Sequence, residues 1–421
     1  MRISIIGTGY VGSVTGVCFA DMGHQVFFVD IDQQKLDSIQ SGKSHFFEPG
    51  LDNLLVKNRQ KISTTTDISE AVNHTDLTMI CVGTPQNPDG SSNLRFIIDA
   101  AHSMGNALGR HQKYHTVIVK STVLPGTTTD VVQPVLEQES GKKAMADFGI
   151  GANPEFLKEG SAVDDFFHSD RIVIGTNDAK TKNTLEKLYK PLHAPIFATD
   201  IKTAEMIKYV SNAFLATKIS FANEIGNLCK LNGIDAYEVF RGVGMDSRIN
   251  PHFFRSGIGF GGSCFPKDIH ALISFAGSLG IDAKILKAVR ETNDDQPKKL
   301  IALLKKHLDI KGKTIGILGL AFKPDTDDIR ESRAIPVVRA LIEEGANVIA
   351  YDPMAMQGFK KIFPQISFAR SSKEVLETDA LMIITEWKEF LDLDYTGKIV
   401  IDGRKVNKAE REATIYEGIC W

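Results

Sequence analysis

The chain has 421 residues, and 49 lysines and arginines against 52 aspartates and glutamates leave a formal charge of −3, which is unsuited to a nucleic-acid binder. With 43% hydrophobic and 24% charged residues it has the composition of a globular protein of two or three domains of roughly 150 residues each, not of a disordered or collagen-like chain. No apolar run approaches the ~18 residues of a membrane span and the N-terminus has no signal-peptide layout, so a cytoplasmic protein with no membrane partner is expected.

Arg2 to Ile6 reads as a short apolar strand that runs into Gly7-Thr8-Gly9-Tyr10-Val11-Gly12. Ser13 to Met22 then reads as a helix, Gly23-His24 as its end, and Gln25 to Val29 as a second strand stopping at Asp30, 23 residues beyond Gly7. Strand, glycine turn, helix, strand and acid make one βαβ unit. Further strands are expected at Leu77 to Val82, Thr116 to Lys120 and Arg171 to Gly175, alternating with helical stretches, which predicts a parallel doubly wound sheet.

From about Thr199 the period changes. Ile207, Val210, Phe214, Phe221, Ile225 and Leu228 recur at helical spacing with no proline and only Gly226 inside, which predicts a helix of roughly 28 residues, about 40 Å long, fit to be a hinge and a dimer seam. A second helical stretch, Pro266 to Gly280, points to an all-helical middle section ending near Gln296-Pro297. A strand (Thr314 to Leu318), a helix (Ala334 to Glu344) and a strand (Val348 to Tyr351) ending at Asp352-Pro353 then open a second βαβ. Its turn, Gly316-Ile317-Leu318-Gly319-Leu320-Ala321, lacks the third glycine, which favours a phosphorylated ligand other than a second dinucleotide.

Gly7, Gly9 and Gly12 suit the tight turn, the approach of pyrophosphate and helix packing, while Asp30 suits a ribose diol and repels a 2′-phosphate, favouring NAD over NADP. Thr84 and Thr122 follow strand ends, where α/β sheets bind ligands. The five cysteines (Cys18, Cys81, Cys229, Cys264, Cys420) include no CxxC pair, so reduced thiols are expected, with neither disulfide frame nor metal site. Cys264 differs from the others. It closes the glycine-rich run Gly257-Ile258-Gly259-Phe260-Gly261-Gly262-Ser263, which reads as a cradle for phosphate or sugar, and precedes a helix that Pro266 opens. The helix dipole and Lys267 are expected to raise its thiolate fraction.

A nucleophilic thiol beside a nicotinamide permits two successive oxidations of a primary alcohol, through a thiohemiacetal and a thioester that is hydrolysed to the acid. Lys208 and Asn212, four apart on the long helix, offer an amine and an amide to one side; Asp268, one turn from Cys264, suits the orientation of a water. Glu155 and Lys158, in a loop after a strand at Ile150, suit proton transfer and phosphate.

GTGYVG at the start, VGTP at 82–85, KSTVLPGTT at 120–128, NPEFLKEGSAVDDF at 153–166, AEMIKYVSNAF in the long helix, GIGFGGSCFPKD and GLAFKPDTDDIRES at 319–332 together resemble the UDP-glucose/GDP-mannose dehydrogenase family over essentially the whole chain. The resemblance implies α/β architecture with two Rossmann-like doubly wound domains joined by a helical middle domain with a long central helix. Residues 1–198 would bind NAD, 199–297 would form the helical dimerisation domain, and 298–421 would bind the UDP moiety. It implies oxidation of the C6 alcohol of UDP-glucose to UDP-glucuronate with two NAD⁺, in a homodimer or higher homo-oligomer. Cys264 matches the family's nucleophile, and Lys208, Asn212, Asp268, Glu155 and Thr122 match the groups around it. NAD contacts match Gly7, Gly9, Tyr10, Val11, Gly12, Asp30, Lys35, Thr84, Thr122, Glu155, Lys267 and Arg330. Nucleotide-sugar contacts match Glu155, Phe156, Leu157, Lys158, Lys208, Asn212, Phe253, Phe254, Arg255, Ser256, Gly257, Gly261 and Lys323. Ser263 before the cysteine resembles the UDP-glucose and GDP-mannose branches, whereas the UDP-N-acetylmannosamine branch tends to carry histidine there; Phe265 and the FFRSGIGFGG loop lean towards UDP-glucose. Ser91-Ser92-Asn93-Leu94 departs from the family's usual alanine and aspartate. The competing readings are GDP-mannose or UDP-N-acetylhexosamine as substrate, a two-electron hydroxyacid-type dehydrogenase, which leaves Cys264 idle, and a non-catalytic nucleotide sensor.

Overall fold

The computed structural model describes residues 1–421 and falls into two compact units, Met1–Ser211 and Asn212–Trp421. No helix is long and apolar enough to cross a membrane. In the first unit the strands are β1 (Arg2–Ile6), β2 (Gln25–Val29), β3 (Ile62–Thr65), β4 (Leu77–Ile80), β5 (Thr116–Val119), β6 (Gly149–Ala152), β7 (Ile172–Thr176) and β8 (Ile196–Thr199). They form one sheet in the order β3-β2-β1-β4-β5-β6-β7-β8. Successive side chains of a strand point to opposite faces, and here both faces are covered by helices. Ile3, Ile5, Leu77, Met79, Ile118, Ile172 and Ile174 enter one core, while Ile6, Ile80, Val117, Val119 and Val173 enter the other. That two-sided burial is why these strands read as continuous apolar runs. The chain leaves β1 for β2 on one side and has β4 on the other, so the topological switch point lies at the carboxyl ends of β1 and β4, beside Gly7 and Thr84.

One pair departs from the all-parallel sheet that the sequence predicts: β7 runs antiparallel to β6, with Ala152 opposite Gly175. A Cβ on Gly151 would sit 2.7 Å from the Gly175 carbonyl oxygen, so glycine is what admits this approach. Apolar periodicity marks a strand without encoding its direction.

The Ile201–Leu231 helix has 31 residues, about 46 Å at the usual rise of ~1.5 Å. Its apolar spacing serves two faces. Ala204, Tyr209, Ala216 and Ala222 are buried, whereas Val210, Phe214, Phe221 and Leu228 are 50–64% exposed.

In the second unit β9 (Thr314–Leu318), β10 (Asn347–Tyr351), β11 (Ser367–Phe368), β12 (Ala380–Ile383), β13 (Ile399–Asp402) and β14 (Ile415–Gly418) form a six-stranded sheet in the order β11-β10-β9-β12-β13-β14, parallel throughout. Near Gln296-Pro297, where the helical middle section is expected to end, a helix spans Lys284–Lys305 with Pro297 inside it. Asn293 and Gln296, just before the proline, turn their amides onto the 257–260 backbone: Asn293 Oδ1 accepts from the Phe260 N–H at 2.8 Å and Gln296 Nε2 donates to the Gly257 carbonyl at 2.6 Å. Proline costs this helix a backbone hydrogen bond, and burial on the preceding residues carries the helix through.

The acid that ends β10 shows why this second Rossmann-like sheet is not a second dinucleotide site. Asp352 is fully buried. Oδ2 accepts from the N–H groups of Leu320 and Ala321 at 2.7 and 3.0 Å and from Trp387 Nε1 at 2.9 Å, and Oδ1 accepts from Met354 and Ala355, both at 2.8 Å. With five donors on one carboxylate, no lone pair faces a diol. Asp352→Asn places an amide N–H₂ against those donors and is expected to destabilise the protein by about 3 kcal/mol, read from urea unfolding followed by tryptophan fluorescence. A loss below about 0.5 kcal/mol would mean that the network contributes little beyond solvation.

Candidate functional site

The glycine turn after β1 has the geometry that its spacing requires. Gly7 has φ +93°, and a Cβ there would lie 2.9 Å from the Cys81 carbonyl oxygen; a Cβ on Gly12 would lie 1.9 Å from the Gly7 oxygen. Gly9 faces open space, with nothing within 4 Å of its would-be Cβ. Gly9 is also the N-cap of the Tyr10–Asp21 helix and provides no side-chain cap, so the first-turn N–H groups, Val11 and Gly12 included, point at the gap where a pyrophosphate fits. Asp30 Oδ2 accepts from the Thr8 N–H and hydroxyl, both at 2.7 Å, and Oδ1 accepts from the Asp32 N–H at 3.0 Å. Burial pushes its carboxyl up, but the Thr8 donors, the Asp32 N–H and the Lys35 charge together hold it below the usual range. It stays ionised with lone-pair capacity left, as a ribose diol requires. Lys35 itself lies 4.0 Å from Asp32. Thr84 Oγ1 donates to the Thr122 carbonyl at 2.8 Å, tying the two strand-end turns together.

Around the ends of β5 and β6 charges are buried rather than solvated. Glu155 and Lys208 are 6% and 4% exposed, with Lys208 Nζ 3.0 Å from Glu155 Oε1; Glu155 Oε2 accepts from the Leu157 N–H at 2.6 Å. Burial pushes the Glu155 carboxyl up, and the Lys208 charge, the Leu157 N–H and the Lys120 charge pull it below its usual value. Phe156 carries the Arg171 guanidinium 4.1 Å above its ring and Lys208 Nζ at 5.4 Å. Thr122, Pro154 and Lys208 line one small pocket together with Glu205, a buried acid whose two oxygens accept from the Gly126 and Thr128 N–H groups at 2.7 and 2.9 Å. Lys158 pairs with Asp165 at 2.9 Å.

In the second unit Cys264 is the N-cap of the Phe265–Ser278 helix and the one exposed cysteine of the five, with Ser263 Oγ 3.6 Å from its sulfur. Asp268, 1% exposed, donates its N–H to the Cys264 carbonyl at 2.8 Å. Its Oδ2 accepts from Asn212 Nδ2 at 2.6 Å and its Oδ1 from Lys267 Nζ at 2.5 Å. The glycines ahead of Cys264 also let the chain pack closely on itself. A Cβ on Gly261 would meet the Glu331 carbonyl at 2.3 Å, one on Gly262 the Phe322 ring at 2.8 Å, and one on Gly257 the Gly403 carbonyl at 2.6 Å. Each admits the protein's own 322–331 or 403 loop, so close packing is one role of these glycines.

The remaining residues of the sequence reading lie on that framework. Ser256 Oγ donates to the Ala222 carbonyl at 2.7 Å and the Gly257 N–H to Asn223 Oδ1 at 2.8 Å. Phe253 adopts φ +68°, Phe254 stacks on Phe240 at 4.8 Å and Arg255 faces Glu386 at 3.8 Å. Lys323 Nζ lies 5.7 Å from the Phe322 ring centre, and the Arg330 guanidinium pairs with Asp328 at 2.7 Å. Sequence reasoning missed Lys120, Asn153 and Tyr189. Lys120 Nζ donates to Asn153 Oδ1 at 3.0 Å and lies 3.4 Å from the Tyr189 hydroxyl, which meets the same Asn153 oxygen at 2.5 Å. Lys120 opens the KSTV motif and Asn153 the NPEF motif, but nothing in their spacing shows that they meet.

A glycine turn fitted to a dinucleotide, an acid fitted to its ribose and an exposed thiol at a helix start define an NAD-dependent oxidoreductase. Residues 1–193 match the NAD binding domain of the UDP-glucose/GDP-mannose dehydrogenase family, residues 202–295 its central domain and residues 316–409 its UDP binding domain. The chain is 44% identical to UDP-glucose 6-dehydrogenase AglM of Haloferax volcanii, over 100% of both chains, and 40% identical to GDP-mannose 6-dehydrogenase of Pseudomonas syringae, again over 100% of both. Among solved structures, a UDP-glucose dehydrogenase from Pyrobaculum islandicum is 45% identical and superposes with a TM-score of 0.97, covering 100% of this chain and 98% of that one. The chain belongs to the UDP-glucose/GDP-mannose dehydrogenase family.

Burial lowers the Lys120 ammonium to about 8. A lysine held below its unfolded value binds fewer protons folded than unfolded between those two values, so stability rises with pH across that window and the cost of the buried charge is present below it. Unfolding of wild type and Lys120→Met compared from pH 7 to pH 10 tests this. The wild type should gain stability on the variant as pH rises; a constant difference would place the Lys120 titration outside that range.

Proposed function

We propose that this enzyme oxidises UDP-glucose at C6 to UDP-glucuronate in two NAD-dependent steps with Cys264 as the covalent nucleophile. The observation that carries this reading is the pairing of an exposed thiol at a helix start with the Asn212–Asp268–Lys267 chain, its acid and amide buried, one turn behind it; a two-electron dehydrogenase has no use for either. NAD⁺ supplies the hydride acceptor for each oxidation, and Gly7, Gly9, Tyr10, Val11, Gly12, Asp30, Lys35, Thr84, Thr122, Lys267 and Arg330 are proposed to hold it. Residues Phe156 to Lys158, Phe253 to Gly257, Gly261 and Lys323 are proposed to hold the nucleotide sugar. Asp268 accepts the proton of the C6 hydroxyl, through water, as the alcohol becomes an aldehyde. The Cys264 thiolate adds to the aldehyde carbon, and Lys208 and Asn212 donate to the alkoxide formed. Loss of the second hydride leaves a thioester. Glu155 and Asp268 orient the water that cleaves the C–S bond, returning the thiol and releasing the carboxylate. Residues 1–198, 199–297 and 298–421 act as the NAD-binding, dimerisation and UDP-binding domains, in the cytoplasm, where thiols stay reduced.

The reading further includes a homodimer. Val210, Phe214, Phe221 and Leu228 expose 50–64% of their surface along one helix, a stripe that water would not tolerate at this length unless a second copy covered it. Light scattering should give twice the 46.3 kDa chain mass, and Phe214→Glu with Phe221→Glu should shift it towards the monomer. A wild-type monomer at micromolar concentration would contradict the dimer.

The substrate is tested by counting NADH from a limiting amount of sugar, with UDP-glucose, GDP-mannose and a UDP-N-acetylhexosamine in parallel. Two NADH per UDP-glucose are expected, and Cys264→Ala should lower turnover to the acid by at least about a thousandfold while leaving NAD⁺ affinity within about twofold. One NADH per sugar, or full turnover by the variant, would demote the thiol. A response confined to another sugar would keep the chemistry and replace the substrate.

A further inference from the structure

Glu48 lies outside every motif discussed above, yet it is 5% exposed and its carboxylate is engaged on both oxygens. Oε2 accepts from the Gly160 N–H at 2.7 Å and from the Tyr10 hydroxyl; Oε1 accepts from the Ala162 N–H at 2.7 Å, with the Val163 N–H at 3.4 Å. The Tyr10 hydroxyl itself accepts from the Gly160 N–H at 3.1 Å and lies 3.3 Å from the Lys158 carbonyl. The Ala162–Phe167 helix receives no cap from the Ser161 side chain, so a carboxylate more than a hundred residues earlier satisfies its first N–H groups, a task that a neighbouring Ser, Thr, Asp or Asn normally performs. From the other side the loop is closed by Asp165, whose Oδ2 accepts from the Lys158 N–H at 2.8 Å.

Both ends of this contact matter. Tyr10 is the first residue of the helix whose N-terminus faces the dinucleotide gap. Residues 156–158 start the loop proposed above to touch the nucleotide sugar, and their placement follows from where Gly160 and Ala162 are pinned. Burial, then the Glu48 carboxylate, raises the Tyr10 hydroxyl well above the ordinary tyrosine value, so it remains a donor at any physiological pH.

We propose that Glu48 is a positioning residue which, with Tyr10, mounts the 156–163 loop on the first turn of the cofactor helix, so that the cofactor turn and the sugar-binding loop hold one fixed geometry. The sugar-binding half of this inference rests on the function proposed above; the strut itself does not.

Glu48→Gln keeps the shape but turns an amide N–H₂ towards backbone donors, and Tyr10→Phe removes only the hydroxyl. In Glu48→Gln, amide hydrogen exchange at Gly160, Ala162 and Val163 should accelerate about tenfold or more, and the nucleotide-sugar KM should rise by about tenfold with kcat and the NAD⁺ dissociation constant changed less than about threefold. Tyr10→Phe should move exchange and sugar KM in the same direction by less, and the double variant should match Glu48→Gln alone, because the tyrosine acts through the glutamate. Unchanged exchange in both variants, or a parallel rise in the KM values of sugar and NAD⁺, would overturn the proposal. If Glu48→Gln does not fold, Tyr10→Phe decides by loop exchange and sugar KM: faster exchange at Gly160 to Val163 with a raised sugar KM supports the strut, and unchanged exchange overturns it. If no nucleotide sugar turns over, the proposed function fails, and the strut stands or falls on loop exchange measured beside NAD⁺ affinity.

Discussion

A buried ion pair sets the terms for the first unit. Lys208 and Glu155 meet at 3.0 Å with about a twentieth of each residue exposed, and taking two charges out of water is repaid only when the geometry is close and the remaining lone pairs are satisfied. The Leu157 N–H takes one of those lone pairs, and Lys120 lies behind the turn, fixed to both oxygens of Asn153. The NPEF turn at the end of β6 is therefore held by two lysines from different elements, one on β5's exit and one on the long helix. Removing either partner alone strands a buried charge, so this turn tolerates little drift. That stiffness suits the contact with cofactor and sugar proposed for Glu155.

The two Rossmann-like sheets use one device to different ends. In each, an acid ends the second strand of the βαβ. Asp30 spends three acceptor positions on Thr8 and Asp32 and remains half-buried, leaving a lone pair on Oδ1 for a ligand. Asp352 spends its lone pairs on five protein donors, Trp387 among them, and is sealed. Gly319 after β9, at φ +95°, repeats Gly7 after β1, at φ +93°, each packed against the turn that follows the neighbouring strand, whereas Ala321 stands where the first turn has Gly9, whose Cβ side is open. The same topology thus presents one dinucleotide site and one sheet whose acid holds the chain to itself. Charge accounting at these two carboxylates accounts for the difference more directly than the missing third glycine does.

Much of this was legible from residues alone. The GTGYVG turn, Asp30, the long helix and Cys264 at a helix start all follow from local spacing, and local spacing is what one sequence contains. What it does not contain is which distant groups meet. Glu48 caps a helix that begins at residue 162, Lys120 finds Asn153 and Tyr189, and Asn293 and Gln296 hold the loop ahead of Cys264 through a helix that runs past Pro297; each pairing is set by tertiary packing. The packing partners of the glycines at 257, 261 and 262 were hidden for the same reason. Glycine marks a close approach, but only the structure tells whether the approaching group is a ligand or the protein's own backbone. The antiparallel run of β7 and the strands after Tyr351 escaped because apolar runs of four or five residues state neither direction nor order.

The proposed mechanism is covalent, with the sulfur of Cys264 carrying the sugar carbon between the two oxidations. Acid-quenching the wild-type enzyme within its first turnover of UDP-glucose and NAD⁺, then mapping adducts by peptide mass spectrometry, tests it most directly. The account predicts a uronyl thioester on the peptide containing Cys264, absent without NAD⁺ and discharged by hydroxylamine. Two NADH per sugar with Cys264 unmodified throughout turnover would contradict it.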